Sequence, residues 1–80
     1  MIRKYSVTLH GHRTSFSLEE EFYLALKMLA HSDGLPLAGL IARIDEERAE
    51  TDNLSSALRL YVFRAAKAGR LTETSIETTE

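Results

Sequence analysis

The spacing of hydrophobic residues changes once near the start of the chain, at Ser17. Before Ser17, hydrophobic and polar residues alternate, which predicts β-strand. After it, hydrophobic residues recur every three to four positions, which predicts an α-helix. This change constrains the fold strongly, because each period determines which side chains face a common core. We therefore expect a strand region at residues 3–17 that leads directly into a helix.

The strand region consists of two short alternating segments. The first sets three hydrophobic residues against three polar ones, namely Tyr5, Val7 and Leu9 against Lys4, Ser6 and Thr8. In the second, Thr14, Phe16 and Leu18 lie on one side, opposite Arg13, Ser15 and Ser17. Gly11 separates the segments, and the sequence leaves open whether it turns a hairpin or marks a bulge in one longer strand.

Three helices are expected within one domain. The expected ranges are helices at 18–33, 36–50 and 53–68, a domain at 1–69, and a polar tail at 70–80. Ser17 and Glu20 have the spacing of a capping box, which would begin the first helix. Pro36 suits the first turn of the second helix. Asp52 or Asn53 would cap the third.

The third helix has a wide hydrophobic arc. Its main face holds Leu54, Ala57, Leu58, Tyr61, Val62 and Ala65. Leu60 and Phe63 lie to the side of that face. An arc this wide indicates contact with more than one surface, such as a second chain.

The length and composition predict a small domain with a marginal core. The chain has 80 residues, of which 44% are hydrophobic. A homodimer is expected, because an isolated strand or hairpin is barely stable and two copies could share a strand and a core. Cysteine is absent and the N-terminal residues form no long apolar run, so we expect a cytoplasmic protein without disulfides, signal peptide or membrane span.

The net charge of −2 conceals two basic blocks. Residues 1–16 contain no acid, and their basic residues are Arg3, Lys4 and Arg13. Residues 53–71 also contain no acid, and their basic residues are Arg59, Arg64, Lys67 and Arg70. Nucleic-acid binding depends on the face presented, so the net charge does not exclude it. Each block is therefore either a phosphate-contacting surface or an ordinary solvated one.

His10 and His12 have the spacing of a metal-ligand pair on a strand. A turn at Gly11 would separate them, and no cysteine or nearby carboxylate completes the set. We therefore expect no metal and no other cofactor. The acidic clusters Glu19–Glu21 and Asp45–Glu47 lie at helix ends, without a visible partner to separate their pKa values, so we expect no enzymatic activity.

Three motifs resemble the ribbon-helix-helix family, in a group of short bacterial proteins with the pattern GHRTSxSLE…NLSSALR. The motifs are GHRTSFSLEEEFYLAL, GLPLAGLIARID and NLSSALRLYVF, and the resemblance spans roughly residues 5–65. It implies a mainly α fold with a short N-terminal β ribbon, forming an intertwined homodimer with an extra C-terminal helix. More distantly, the chain resembles the Arc and methionine repressors.

In that superfamily, a ribbon made of one strand from each copy enters the major groove of double-stranded DNA. The resemblance implies three outward residues that read base edges, namely Arg13, Ser15 and Ser17. It also implies that free N–H groups at the start of the second helix bind a phosphate. The phosphate-binding candidates are Leu37 and Ala38 there, with Arg3 and Lys4 from the N-terminal block.

The resemblance therefore implies a transcriptional regulator, in particular a repressor that occupies a promoter. The alternative is a dimeric protein-interaction module, such as an antitoxin-like neutraliser that binds a partner protein through its C-terminal helix.

Overall fold

The computed structural model describes residues 1–71, and the predicted tail lies outside them except for its first two residues. Two strands precede three helices: β1 (Ile2–Leu9), β2 (His12–Glu19), α1 (Glu20–Ser32), α2 (Leu37–Glu47) and α3 (Leu54–Lys67). The fold is mainly α with an N-terminal β ribbon and an extra C-terminal helix, which confirms the predicted class. Within the described residues, every helix is too short or too polar to cross a membrane.

The two strands form an antiparallel hairpin within the chain. His10 and Gly11 connect them, with φ angles of 53° and 82°. A two-residue turn of type I′ needs positive φ at both positions, and its twist matches that of the flanking strands. Leu9 and His12 form the pair that closes the turn. The hairpin alternative is therefore the one that the chain adopts.

The three helices cover one face of the hairpin, since α2 contacts β1 while α1 and α3 contact β2. The buried hydrophobic core between them comprises Leu9, Phe16, Leu18, Leu26, Leu29, Ala30, Leu40, Ile41, Ile44, Leu54, Leu58, Val62 and Ala65. The core residues of β1, β2 and α3 belong to the faces that the hydrophobic periodicity predicted for burial. At the core's edge, the Tyr5 ring stacks on Tyr23 with a centroid distance of 3.8 Å.

Local signals define two helix ends, and the one at Asn53 was predicted. Gly34 has a φ of 70° just after α1, and Leu35 N–H donates to the Ala30 carbonyl over 2.9 Å. This is a Schellman ending, in which glycine takes the left-handed conformation without steric cost. At α3, the Asn53 side chain accepts a hydrogen bond from Ser56 N–H over 2.8 Å and forms the N-cap.

The boundary between ribbon and first helix differs from the prediction. β2 continues through Ser17 to Glu19, and α1 begins at Glu20, so Ser17 is not a helix cap. Its backbone N–H instead donates to Ser55 Oγ over 3.1 Å. The extended conformation therefore continues two residues past Ser17, where the sequence predicted the strand region to end.

The second helix is shorter than predicted. Pro36 is extended and precedes α2, so it does not lie in the first turn. At the other end, α2 stops at Glu47 because Arg48 is extended and its Nε donates to Asp45 Oδ1 over 2.6 Å. Arg48 also donates to the carbonyl of Asp52, which stabilises the following loop.

Candidate nucleic-acid interface

The hairpin presents a polar surface on the side opposite the helices. We call this surface the outer ribbon face and define it by six exposed polar residues, namely Lys4, Ser6 and Thr8 of β1 and Arg13, Ser15 and Ser17 of β2. The buried core covers the other side of the hairpin. The hydrophobic core therefore supports the backbone of the outer ribbon face, whose own side chains are exposed to solvent.

The strand register determines which residues on this face are neighbours. Thr8 lies opposite Arg13, and Lys4 lies opposite Ser17. Side chains of directly opposed residues lie about 5 Å apart at Cβ and can contact the same ligand. The three predicted base-reading residues thus lie on one surface. The pairing adds a row of β1 residues beside them, Lys4, Ser6 and Thr8, for which the sequence predicted no common role.

The two basic residues of the N-terminal block lie on different faces. Lys4 is on the outer ribbon face, whereas Arg3 lies opposite Leu18 and on the same face as Tyr5. Successive side chains of a strand point to opposite faces, so the side chains of Arg3 and Lys4 cannot both lie on the outer ribbon face. Lys4 alone of the two therefore lies beside the three predicted base-reading residues.

One acid reaches the end of the outer ribbon face, and a basic residue neutralises it. Glu19 Oε1 accepts a hydrogen bond from Arg59 Nε over 2.9 Å. This hydrogen bond, with a smaller contribution from the backbone N–H of Glu19, holds the pKa of the Glu19 carboxyl below its usual value of 4.5. The carboxylate is therefore ionised at neutral pH, but its charge is compensated within the chain.

The free edge of β2 carries unpaired peptide groups. Because Ser17 N–H bonds to α3, its peptide group points away from β1. Along an antiparallel strand, the backbone N–H and C=O groups of residues two positions apart point to the same edge. The backbone groups of Arg13 and Ser15 therefore also point away from β1. Ser55 occupies the edge at Ser17 only; among residues 1–71, no partner is found for the groups at Arg13 and Ser15.

The predicted phosphate site at the start of α2 has free backbone donors. Pro36 supplies no side-chain cap, and the first intrahelical bond runs from Leu40 N–H to the Pro36 carbonyl over 3.1 Å. The N–H groups of Leu37 and Ala38 are thus available to an anion. Glu46, near the other end of α2, lies 3.1 Å from His10 in the hairpin turn. The free donors are therefore about 14 Å along the helix from that turn.

Two basic residues of α3, and one just beyond it, make contacts within the chain. Arg59 binds Glu19, and the Lys67 ammonium lies 5.4 Å from the centre of the Phe63 ring. Beyond the helix end, Arg70 donates to Asp33 over 2.6 Å. The Arg59 and Arg70 contacts connect α3, and the turn after it, to the two ends of α1, a role that local sequence spacing does not signal.

His10 and His12 do not share a strand face, because His10 lies in the turn and His12 begins β2. Within residues 1–71, no group of three potential metal ligands is present. Glu20 and Glu21 are exposed in the first turn of α1.

Within residues 1–71, large hydrophobic side chains are exposed on both α3 and α1. On α3, Leu60 and Phe63 are 43% and 57% exposed. On α1, Leu24 and Met28 are each about half exposed. Large apolar side chains are not usually clustered on the surface of a monomer without a reason.

Comparisons with known proteins agree with this architecture. A family model of the ribbon-helix-helix domain matches residues 2–66. Among solved structures, the chain is similar to an uncharacterized protein from Bordetella pertussis Tohama I, with a TM-score of 0.73 and 31% sequence identity. That match covers 96% of this chain and 67% of the other. A comparison with curated proteins finds no match.

Proposed function

The chain belongs to the ribbon-helix-helix domain family, whose members are generally non-enzymatic DNA-binding modules, and we propose that it is a sequence-specific DNA-binding protein. We further propose that it acts in the bacterial cytoplasm as a transcriptional repressor that occupies its operator.

The outer ribbon face is the observation that carries this proposal. It combines two cations with four hydroxyl groups on a surface supported by the packed core, and the carboxylate of Glu19 at its end is neutralised by Arg59. A two-stranded β ribbon fits the major groove of B-DNA, where each base pair presents a distinct set of donors and acceptors. Hydroxyl and guanidinium groups can form hydrogen bonds with these donors and acceptors on the base edges.

Arg13 is the leading base contact in this mechanism. Its guanidinium can donate two hydrogen bonds to the O6 and N7 atoms of one guanine, which discriminates against other bases by about 1–3 kcal/mol. Ser15 and Ser17 lie on the same side of β2 and supply shorter donors and acceptors. The free N–H groups of Leu37 and Ala38 are proposed to bind a backbone phosphate and so to position the ribbon.

The protein is proposed to act as a homodimer. The unpaired peptide groups of Arg13 and Ser15 offer a strand edge to the same edge of a second copy, and antiparallel pairing is compatible with two-fold symmetry. The pair would place both Arg13 side chains on one surface. Dimerisation would also bury surface that a single small domain leaves exposed, which would add to its stability.

Selection from a pool of random duplexes tests the proposal. Wild-type protein should enrich a common sequence, and Arg13→Ala should lose most of its preference for that sequence over an unrelated duplex. Arg43→Ala is the matched control, because it removes the same charge from an exposed position on α2. If wild-type protein enriches no sequence, DNA readout is the wrong function.

A protein-interaction module, such as an antitoxin-like neutraliser, is the second candidate. The exposed Leu60 and Phe63 on α3 favour it, because they form an apolar surface that α1 and α2 leave uncovered. Co-expression with the product of the adjacent gene distinguishes the two functions. A stable complex that Phe63→Ser abolishes, together with no DNA selectivity, would support the module.

A further inference from the structure

We propose that β1 is a phosphate-contacting strand, in which the Lys4, Ser6 and Thr8 side chains bind the DNA backbone at the walls of the major groove. This inference rests on the proposed DNA-binding function and on the proposed pairing of β2 with a second copy. It assigns to β1 a role different from base reading by β2.

The first argument is the placement of these three side chains. They alternate along β1 on the outer ribbon face, and all are exposed. The Lys4 ammonium has no ion-pair partner among residues 1–71. The row holds no acid, so its chemistry suits an anion: one cation and two hydroxyls that donate hydrogen bonds.

The second argument is the width of the sheet. Neighbouring strands lie about 4.8 Å apart, so two hairpins joined through their β2 edges would place their β1 strands about 14 Å apart. The major groove is about 12 Å wide. The two β2 strands would therefore lie inside the groove, while each β1 strand would lie against a wall formed by phosphates.

The third argument concerns chemistry. A single serine or threonine hydroxyl fits several bases and therefore discriminates weakly, but it donates well to a phosphate oxygen. An ammonium is a compact charge that neutralises a phosphate without demanding an angular fit. The β1 row is thus suited to affinity and positioning, whereas the guanidinium of Arg13 on β2 is suited to specificity.

Salt titration of DNA binding tests the inference, with the selected duplex and an unrelated duplex measured in parallel by fluorescence anisotropy. Lys4→Ala should weaken binding to both duplexes and preserve their affinity ratio. Two phosphate contacts per dimer would be lost, so the slope of log affinity against log salt should become less steep by about 1.8. The double variant Ser6→Ala, Thr8→Ala should also weaken binding, by a factor that is similar for the selected and the unrelated duplex.

Arg43→Ala is the matched control, because it removes one positive charge from an exposed position on α2, which packs on the other side of the hairpin. It should leave the salt slope close to that of wild type. Equal slopes for Lys4→Ala and wild type, or a changed affinity ratio in the β1 variants, would overturn the inference while leaving DNA binding intact. Wild-type protein that binds neither duplex would overturn both the inference and the proposed function.

Discussion

Arg59 Nε donates to Glu19 Oε1 over 2.9 Å, a contact between residues 40 positions apart in the sequence. One turn earlier in α3, Ser55 accepts the hydrogen bond from Ser17 N–H. These two contacts attach the first half of α3 to the end of β2. The third helix is therefore part of the domain that supports the outer ribbon face.

The Glu19–Arg59 contact should make stability depend on acid pH. The pKa of Glu19 is lower in the folded chain than its usual 4.5, so the contact stabilises the fold fully above about pH 4.5 and less as pH falls through the folded value. We expect the difference in unfolding midpoint between wild type and Arg59→Ala to shrink as pH falls from 6 to 3.

Because other carboxylates titrate over the same range, the measurement needs a double-mutant cycle. Thermal unfolding of wild type, Glu19→Gln, Arg59→Ala and the double variant isolates the coupling between the two side chains. A coupling that stays constant from pH 6 to pH 3 would contradict this account of the Glu19 pKa.

Leu58 on α3 should be critical for stability. Its side chain is fully buried, so Leu58→Ala removes apolar contacts and leaves a cavity, at a cost of about 2–5 kcal/mol. Leu60→Ala is the control on the same helix, and it should change stability by only about 0.5 kcal/mol because Leu60 is 43% exposed. Urea unfolding followed by circular dichroism gives both values; similar losses would show that α3 is oriented differently.

Ser15 allows the backbone and the side chain of β2 to be tested separately. Ser15→Pro removes an N–H group that points away from β1, so it should prevent pairing of β2 between copies and leave most of the hairpin's hydrogen bonds intact. Ser15→Ala keeps that N–H group and should remain dimeric, while losing one candidate base contact. Sedimentation equilibrium at micromolar concentration checks this pair of variants; a dimeric Ser15→Pro protein would locate the dimer interface elsewhere.

Asn53 should stabilise α3 through its cap. Asn53→Ala removes the acceptor for Ser56 N–H and should lower the free energy of unfolding by about 1 kcal/mol. Asp52→Ala is the control, because Asp52 contributes its backbone carbonyl, and not its side chain, to the bond with Arg48. Equal effects of the two substitutions in urea unfolding would argue against Asn53 as the cap.

Hydrophobic periodicity and glycine placement are local properties, and they determined much of the fold. The sequence predicted the order of strand region and helices, the buried faces of the strands and of α3, and the position of Leu60 and Phe63 to the side of the buried face of α3. It also placed Arg13, Ser15 and Ser17 on one face of β2. These inferences need only the direction of side chains along a strand or helix, which neighbouring residues define.

Tertiary structure alone decided which segments and side chains become partners. The turn at Gly11 pairs β2 with β1 in the same chain, so Lys4 lies on the outer ribbon face and Arg3 does not. Arg59, which resembles any solvated residue on a basic helix, instead neutralises Glu19. Such contacts join residues far apart in the sequence, and they depend on how the helices pack against the hairpin, which no local period encodes.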